Sequence, residues 1–175
     1  MKKKVAIYIG RFAPLHNGHL ETIEYCNKNY DKTLILIGSK NKRRTTKNPF
    51  PIEMIKFWCD NNSDENTTTV AINDYLYSDN KWIAQIEDLV HSLFNKNEYD
   101  YYITGYEKDA SSFYLKIFPT WRVDLVPEFA DGLNATEIRT KLFNPEKYGN
   151  NIDFSKVTTE EICKDLNEFR STLLY

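Results

Sequence analysis

The sequence has few cysteines and no long apolar run. Cys26, Cys59 and Cys163 stand far apart in 175 residues, so they form neither a disulfide framework nor a metal-binding pattern. We expect free thiols in a reducing compartment. The apolar stretch 5–9 behind the basic residues 2–4 is too short for a signal-peptide core or a membrane span. These absences favour a cytoplasmic protein without a membrane partner.

Net charge is also nearly absent. The 23 Lys and Arg residues against 25 Asp and Glu give a formal charge of -2, so no basic field attracts a nucleic-acid backbone and no nucleic-acid partner is expected. A bound anion would be held by a local cluster of donors, which favours a small phosphate compound. The composition is 41% hydrophobic and 14% aromatic, which excludes disorder over most of the length and supplies a core for one domain.

Short apolar runs alternate with segments of helical spacing. We predict strands at 5–9, 33–37, 68–72, 99–103 and 121–126. We predict helices that begin near 18 and 51, and others over 82–94, 110–118, 135–143 and 159–174. The first two strands are continuous aliphatic runs, typical of parallel strands covered on both faces. The alternation predicts an α/β fold with a doubly wound, parallel, five-stranded sheet. One domain over 1–175 has its core at about 1–145 and a helical C-terminal extension at about 146–175.

The stretch after the first strand carries the strongest functional signal. Gly10 ends the strand, and a helix begins near Gly18. In doubly wound folds ligands bind at the carboxyl ends of strands, where a glycine admits a ligand and a helix N-terminus attracts phosphate. His16 and His19 can converge on one anion, with Arg11 as a fixed positive charge. The alternative, two histidines that only cap a helix, is less favoured because two of the chain's three histidines fall within four residues.

The run from Gly10 to His19, Gly-Arg-Phe-Ala-Pro-Leu-His-Asn-Gly-His, resembles the signature of the His-x-Gly-His nucleotidyltransferases, and in this longer form that of the nicotinamide-nucleotide adenylyltransferases. Further similar pieces follow the other predicted strands, at 38–50, 74–82, 105–115 and 136–139. The resemblance spans nearly the whole chain and is strongest to the adenylyltransferase domain that some bacteria fuse to a Nudix hydrolase. No Nudix motif is found in the sequence, so we expect a stand-alone domain or one separated from such a partner.

The resemblance implies a Rossmann-like fold and the transfer of an adenylyl group from ATP to nicotinamide mononucleotide, which gives NAD and pyrophosphate. The phosphate of the mononucleotide is already a nucleophile at neutral pH, so the protein has to position the substrates and stabilise charge. Mg²⁺ is expected with ATP, held mostly by phosphate oxygens and water. The oligomeric state is left open, a homo-oligomer included.

The same resemblance implies roles for individual residues. The expected catalytic residues, all acting on the phosphates, are His16, His19, Arg11 and Arg139. The expected ATP contacts are Gly10, Gly18, Lys47, Gly105, Lys108, Asp109 and Thr136. The expected mononucleotide contacts are Phe12, Ser39, Asp74, Tyr77, Asn80 and Trp82. Trp82 would stack on the flat cationic ring, although its spacing with the apolar stripe of its helix equally allows a core position. No residue is assigned to a metal.

Two positions depart from the family pattern. Lys47 stands where relatives more often have arginine, and lysine cannot make the planar two-pronged phosphate contact. Asn134 stands two residues before Thr136, where serine or threonine is common. Two alternatives stay open, and these departures permit the second of them. The fold could serve another acceptor, nicotinic acid mononucleotide or phosphopantetheine, or the chain could sense NAD or ATP without turnover.

Overall fold

A computed structural model describes residues 1–107, 110–129, 133–149 and 152–173. The elements in chain order are β1 (Lys3–Gly10), α1 (Asn17–Asn29), β2 (Lys32–Ile37), α2 (Ile52–Asn61), β3 (Thr67–Ala71), α3 (Asp79–Leu93), β4 (Tyr99–Gly105), a 3₁₀ helix (Ala110–Lys116), β5 (Arg122–Leu125), α4 (Ala135–Leu142), α5 (Pro145–Tyr148) and α6 (Glu160–Thr172). Strands and helices alternate as predicted, which follows from the regular exchange of aliphatic runs and amphipathic segments.

The five strands of the described residues form one parallel sheet in the order β3-β2-β1-β4-β5. The chain moves outward from β1 through β2 to β3, and then crosses to β4 on the other side of β1. The direction of winding therefore reverses between β1 and β4. In doubly wound sheets this reversal opens a crevice at the carboxyl ends of the strands. The predicted α/β fold and Rossmann-like topology are confirmed.

Two apolar cores cover the two faces of the sheet. Alternate residues of β1 point to opposite sides, so Ile7 joins a core that includes Ile86 of α3, while Tyr8 joins a core that includes Ile23 of α1 and Trp58 of α2. Since both faces are buried, the first two strands need apolar residues at nearly every position. The continuous runs that predicted parallel strands have this cause.

The C-terminal helix α6 packs beside α2 on one face. Ile162 and Leu166 are fully buried in the same core as Trp58. The Trp58 indole Nε1–H donates a hydrogen bond to Asp165 Oδ2 at 2.8 Å. The helical extension predicted after residue 146 is thereby tied to the sheet through a buried apolar stripe and one charge-assisted bond.

One predicted element differs in type. The segment predicted as a helix over 110–118 is a 3₁₀ helix that ends at Lys116. It lies tightly over the end of β4, where a Cβ on Gly105 would come within 3.1 Å of the Leu115 side chain. Leu115 is fully buried, so this contact fixes a short, tightly wound turn on the sheet.

The cysteines and the helices were also compared with the sequence predictions. The three cysteines are unpaired, as predicted, and burial raises the pKa of both Cys26 and Cys59 to about 12, which makes them unreactive. Among the described helices, none has the length and apolar character needed to cross a membrane.

Candidate active site

A cleft of ≈ 720 Å³ opens at the carboxyl ends of the strands. Its walls come from the loops after all five strands, from the N-termini of α1, α3 and α4, and from the 3₁₀ helix. Small-molecule sites commonly have volumes of roughly 300–1,000 Å³. The cleft lies at the reversal of the sheet order, where the sequence predicts the binding site.

Two histidines at the start of α1 contact each other through hydrogen bonds and ring stacking. His16 is the N-cap residue, and its Nδ1 accepts a hydrogen bond from the Gly18 N–H at 3.1 Å. His19 Nδ1 accepts from the His16 N–H at 3.2 Å, which completes a reciprocal capping box. The rings stack with centroids 3.7 Å apart. Since each Nδ1 is an acceptor, the hydrogen-bond pattern assigns the proton of a neutral ring to Nε2.

The capping role and the expected phosphate role of the histidines are therefore compatible. The cap uses Nδ1 and puts the ring proton on Nε2, a donor from which a phosphate oxygen can accept, and both rings line the cleft. Burial and the adjacent His16 ring hold the pKa of His19 well below its ordinary value. Without a ligand His19 is thus a neutral donor at pH 7, and the fixed positive charge at the cleft belongs to other residues.

Two arginines supply that charge. The Arg139 guanidinium is anchored by two donated bonds, from Nη1 to the Ala13 carbonyl at 2.8 Å and from Nη2 to Thr136 Oγ1 at 3.2 Å. Partial burial and the nearby Arg11 lower the pKa of Arg139. Like charges held together in a cleft that both residues line favour the binding of an anion between them.

The N-terminus of α4 is aimed at the same cleft, since Ala135 and Thr136 line it. Asn134 is the N-cap residue of α4, and its side-chain oxygen accepts from the Glu137 N–H at 3.0 Å. Asparagine caps a helix as well as serine does. The departure from the family pattern at this position therefore leaves the helix N-terminus intact.

The loops after β2 and β3 are joined by hydrogen bonds and together form one wall of the cleft. Ser39, in a left-handed backbone conformation with φ 66°, donates from Oγ to Asp74 Oδ2 at 2.6 Å. The Asn41 side chain donates to the Asp74 carbonyl at 2.9 Å and accepts from its N–H at 2.8 Å. Ser39 and Asp74 both line the cleft, and the fully exposed Tyr77 stands on the same wall.

Trp82 takes both of the positions that its spacing allows. It packs against the core through Phe118 and Tyr114, with ring centroids 6.1 and 6.5 Å away, and it also lines the cleft. A tryptophan anchored on one side and open on the other gives a flat ligand a rigid stacking surface.

Four expected contacts do not line the cleft. Phe12 is buried, with 1% of its surface exposed, because its ring turns inward over Gly10. Lys47 is exposed in a turn closed by the paired residues Thr45 and Asn48, and it is not among the residues that line the cleft.

The other two lie at element boundaries. Asn80 is exposed in the first turn of α3, off the wall. Gly105 is covered by Leu115 of the 3₁₀ helix and so admits this helix rather than a ligand. The expected ATP contacts Lys108 and Asp109 lie outside the described residues. The remaining expected residues, which do line the cleft, are Gly10, Arg11, His16, Gly18, His19, Ser39, Asp74, Tyr77, Trp82, Thr136 and Arg139.

Several wall residues were not expected from the sequence. Lys42, from the basic loop that also holds Lys47, lines the cleft. Tyr114 lines it as well, and burial raises the pKa of its hydroxyl to about 12. Glu128 and Phe129 follow β5 and line it too. All four residues follow a strand in the sequence. Because the carboxyl ends of parallel strands meet at one edge of the sheet, this position could have predicted that they line the cleft.

Comparison with known proteins agrees with this geometry. Residues 7–140 match the cytidylyltransferase-like family. The nicotinamide/nicotinic acid mononucleotide adenylyltransferase of Acinetobacter baylyi is 33% identical over 136 residues, which cover 76% of this chain and 72% of that protein. The nicotinamide-nucleotide adenylyltransferase of Thermococcus sibiricus is 30% identical over 149 residues, covering 81% and 75%.

A solved structure is also similar over nearly the full chain. The bifunctional NMN adenylyltransferase/ADP ribose pyrophosphatase from Francisella tularensis, complexed with AMP and a manganese ion, aligns with a TM-score of 0.77 and 28% identity. The match covers 98% of this chain and 52% of that chain, so this chain spans about half of the bifunctional protein. The chain belongs to the cytidylyltransferase-like family and, within it, to the nicotinamide-nucleotide adenylyltransferases.

Proposed function

We propose that the chain transfers the adenylyl group of ATP to nicotinamide mononucleotide. One observation carries the proposal: a reciprocally capped histidine pair and two arginines line a single cleft at the reversal point of the sheet. This arrangement concentrates N–H donors and positive charge where a triphosphate would lie.

The reaction needs no proton removal from the acceptor. A phosphate oxygen of the mononucleotide attacks the α-phosphorus of ATP, a new phosphoanhydride bond forms, and the bond to the β-phosphate breaks so that pyrophosphate leaves with the negative charge. His16 and His19 would donate from Nε2 to the phosphate oxygens. Arg139, held at Ala13 and Thr136, would stabilise the charge that grows on the leaving group.

The part of the cleft around Trp82, where the mononucleotide would bind, favours a cationic ring that carries a neutral amide. Trp82 gives a stacking face, and Asp79 stands one helical turn before it. Asp74, braced by Ser39, adds a second carboxylate to this wall. The carboxylate of nicotinic acid would be repelled by these two negative charges. Lys42 offsets the repulsion only in part, because it is exposed and its side chain is flexible.

The proposal includes Mg²⁺ bound with ATP. The donors at the phosphate end of the cleft are N–H groups and guanidinium groups, which fit the phosphate oxygens, while the ion would be held by those oxygens and by water. It also includes a cytoplasmic location, which the three unpaired cysteines support.

The test is an assay of dinucleotide and pyrophosphate formation with ATP and Mg²⁺, in which nicotinamide and nicotinic acid mononucleotides are compared. The matched variant is His19→Asn, whose Oδ1 replaces the capping Nδ1 while the Nε2 donor is lost. We expect faster turnover with the amide and a large loss of turnover in the variant. Exclusive use of the acid, or of phosphopantetheine, would assign another acceptor. Calorimetric binding of ATP without any pyrophosphate would instead indicate a sensor.

A further inference from the structure

Phe12 has an unusual backbone conformation for a bulky residue. Its φ is 50°, in the left-handed region, which is a genuine outlier for a large side chain. Only 1% of its surface is exposed. The ring covers Gly10 so closely that a Cβ there would lie 2.9 Å from Phe12 Cζ. The strained turn is therefore maintained by a fully buried ring rather than by an exposed contact.

This ring stands in a row of aromatic rings that joins the sheet to the histidine pair. The Phe12 ring meets Tyr8 of β1 edge to face, with centroids 5.2 Å apart. On its other side it meets His19 edge to face at 5.0 Å. His19 in turn stacks on His16 at 3.7 Å. Edge-to-face contacts have a preferred orientation, so each ring restricts the rotation of the next.

His19 depends on this row for its orientation. The bond from the His16 N–H to Nδ1 fixes one atom of the ring, at 3.2 Å. This bond restricts the two side-chain torsions of His19, but on its own it still allows the ring to tilt about the contact. The His16 ring restricts one side of His19 and the Phe12 ring restricts another. With both in place, the direction of Nε2 is set.

We propose that Phe12 is a positioning residue, whose buried ring holds His19 in the orientation that directs its Nε2–H into the cleft. Phe12 itself does not line the cleft. Its effect on turnover rests on the proposed function, whereas its effect on the His19 ring does not.

The test compares Phe12→Leu with Phe154→Leu. Phe154 is 2% exposed and belongs to the same core cluster, so the two variants remove similar buried rings. We expect similar losses of thermal stability. In Phe12→Leu, kcat should fall about tenfold or more while KM for the mononucleotide changes less than about twofold, because misplacing a catalytic group affects turnover first. In Phe154→Leu both constants should stay near those of the wild type.

The second measurement needs no turnover. In ¹⁵N-histidine-labelled protein without substrates, the ring nitrogens of wild-type His19 should give separate signals, with the proton on Nε2. In Phe12→Leu these signals should move toward each other, because a ring that tilts away from the His16 N–H loses the bond at Nδ1 that keeps the proton on Nε2. In Phe154→Leu they should not move. Phe12→Met keeps most of the apolar volume but lacks an aromatic ring, so it should give the same result as Phe12→Leu. It replaces Phe12→Leu in the test if the leucine variant fails to fold.

Two results would overturn the proposal: His19 signals in Phe12→Leu and Phe12→Met that match those of the wild type, or a kcat no lower than that of Phe154→Leu. If the wild-type protein forms no dinucleotide, the proposed function fails. The nitrogen signals would then still decide whether Phe12 orients His19.

Discussion

The substitution Gly18→Ala should displace the two histidine rings while it leaves the stability of the fold nearly unchanged. A Cβ at Gly18 would lie 3.0 Å from His16 Cε1 and 3.2 Å from Nδ1, so the imidazole has to shift by a few tenths of an ångström. Its movement is restricted, because the His19 ring is stacked on it with the ring centroids 3.7 Å apart. The substitution therefore displaces both rings and weakens the 3.1 Å capping bond to the Gly18 N–H.

The expected magnitudes differ for stability and activity. Alanine is favoured over glycine in a helix by about 1 kcal/mol, and an off-rotamer imidazole costs about 1 kcal/mol. These nearly cancel, so the melting temperature by circular dichroism should stay within about 4 °C of the wild type. Misplaced donors should lower kcat by about 10²-fold. Glu21→Ala, an exposed position one turn further along α1, is the control with unchanged kcat. Full activity of Gly18→Ala would refute the role of the histidine geometry.

Three other changes test separate parts of the site. Arg139→Lys should raise KM for ATP about tenfold or more, because an ammonium cannot hold the Ala13 carbonyl and a phosphate with a planar fork; an unchanged KM would remove Arg139 from the phosphate site. Asn134→Ala should lower the free energy of unfolding by about 1 kcal/mol and Asn134→Ser by almost nothing, measured by urea denaturation, since the residue caps α4. The pKa of His19 is lower in the folded chain than in the unfolded chain, so the unfolded state binds more protons and the free energy of unfolding should fall as the pH drops below about 6.5. His19→Asn should reduce that slope, and an equal slope in both proteins would contradict the assignment.

The parts of the protein that local sequence patterns determine could be predicted. Continuous aliphatic runs mark strands buried on both faces. Gly10 followed by His16 and Gly18 predicts a helix start beside a binding cleft, and the structure shows that capped helix start on the cleft wall. A place for Arg139 and Trp82 in the binding site could be predicted only from the family resemblance, since an arginine or tryptophan on a helix has many ordinary roles. The structure places both on the cleft wall.

Features that depend on tertiary packing could not be predicted. Phe12 adjoins Arg11 in the sequence, but its left-handed φ turns the ring into the core while Arg11 lines the cleft. Lys47 and Lys42 share one basic loop, yet only Lys42 lines the cleft, while Lys47 lies in the turn between Thr45 and Asn48. No local pattern encodes the path of such a loop, because long-range contacts fix it.

If this cleft transfers an adenylyl group, the phosphorus atoms of ATP have to divide between two products. The most direct test follows the phosphorus atoms of ATP in the presence of Mg²⁺ and nicotinamide mononucleotide. With ATP labelled at the α-phosphate the label should appear in NAD, and with ATP labelled at the γ-phosphate it should appear in pyrophosphate, in equal amounts and with little of either in His19→Asn. Release of γ-label as inorganic phosphate, or retention of both labels in ATP, would contradict adenylyl transfer by this cleft.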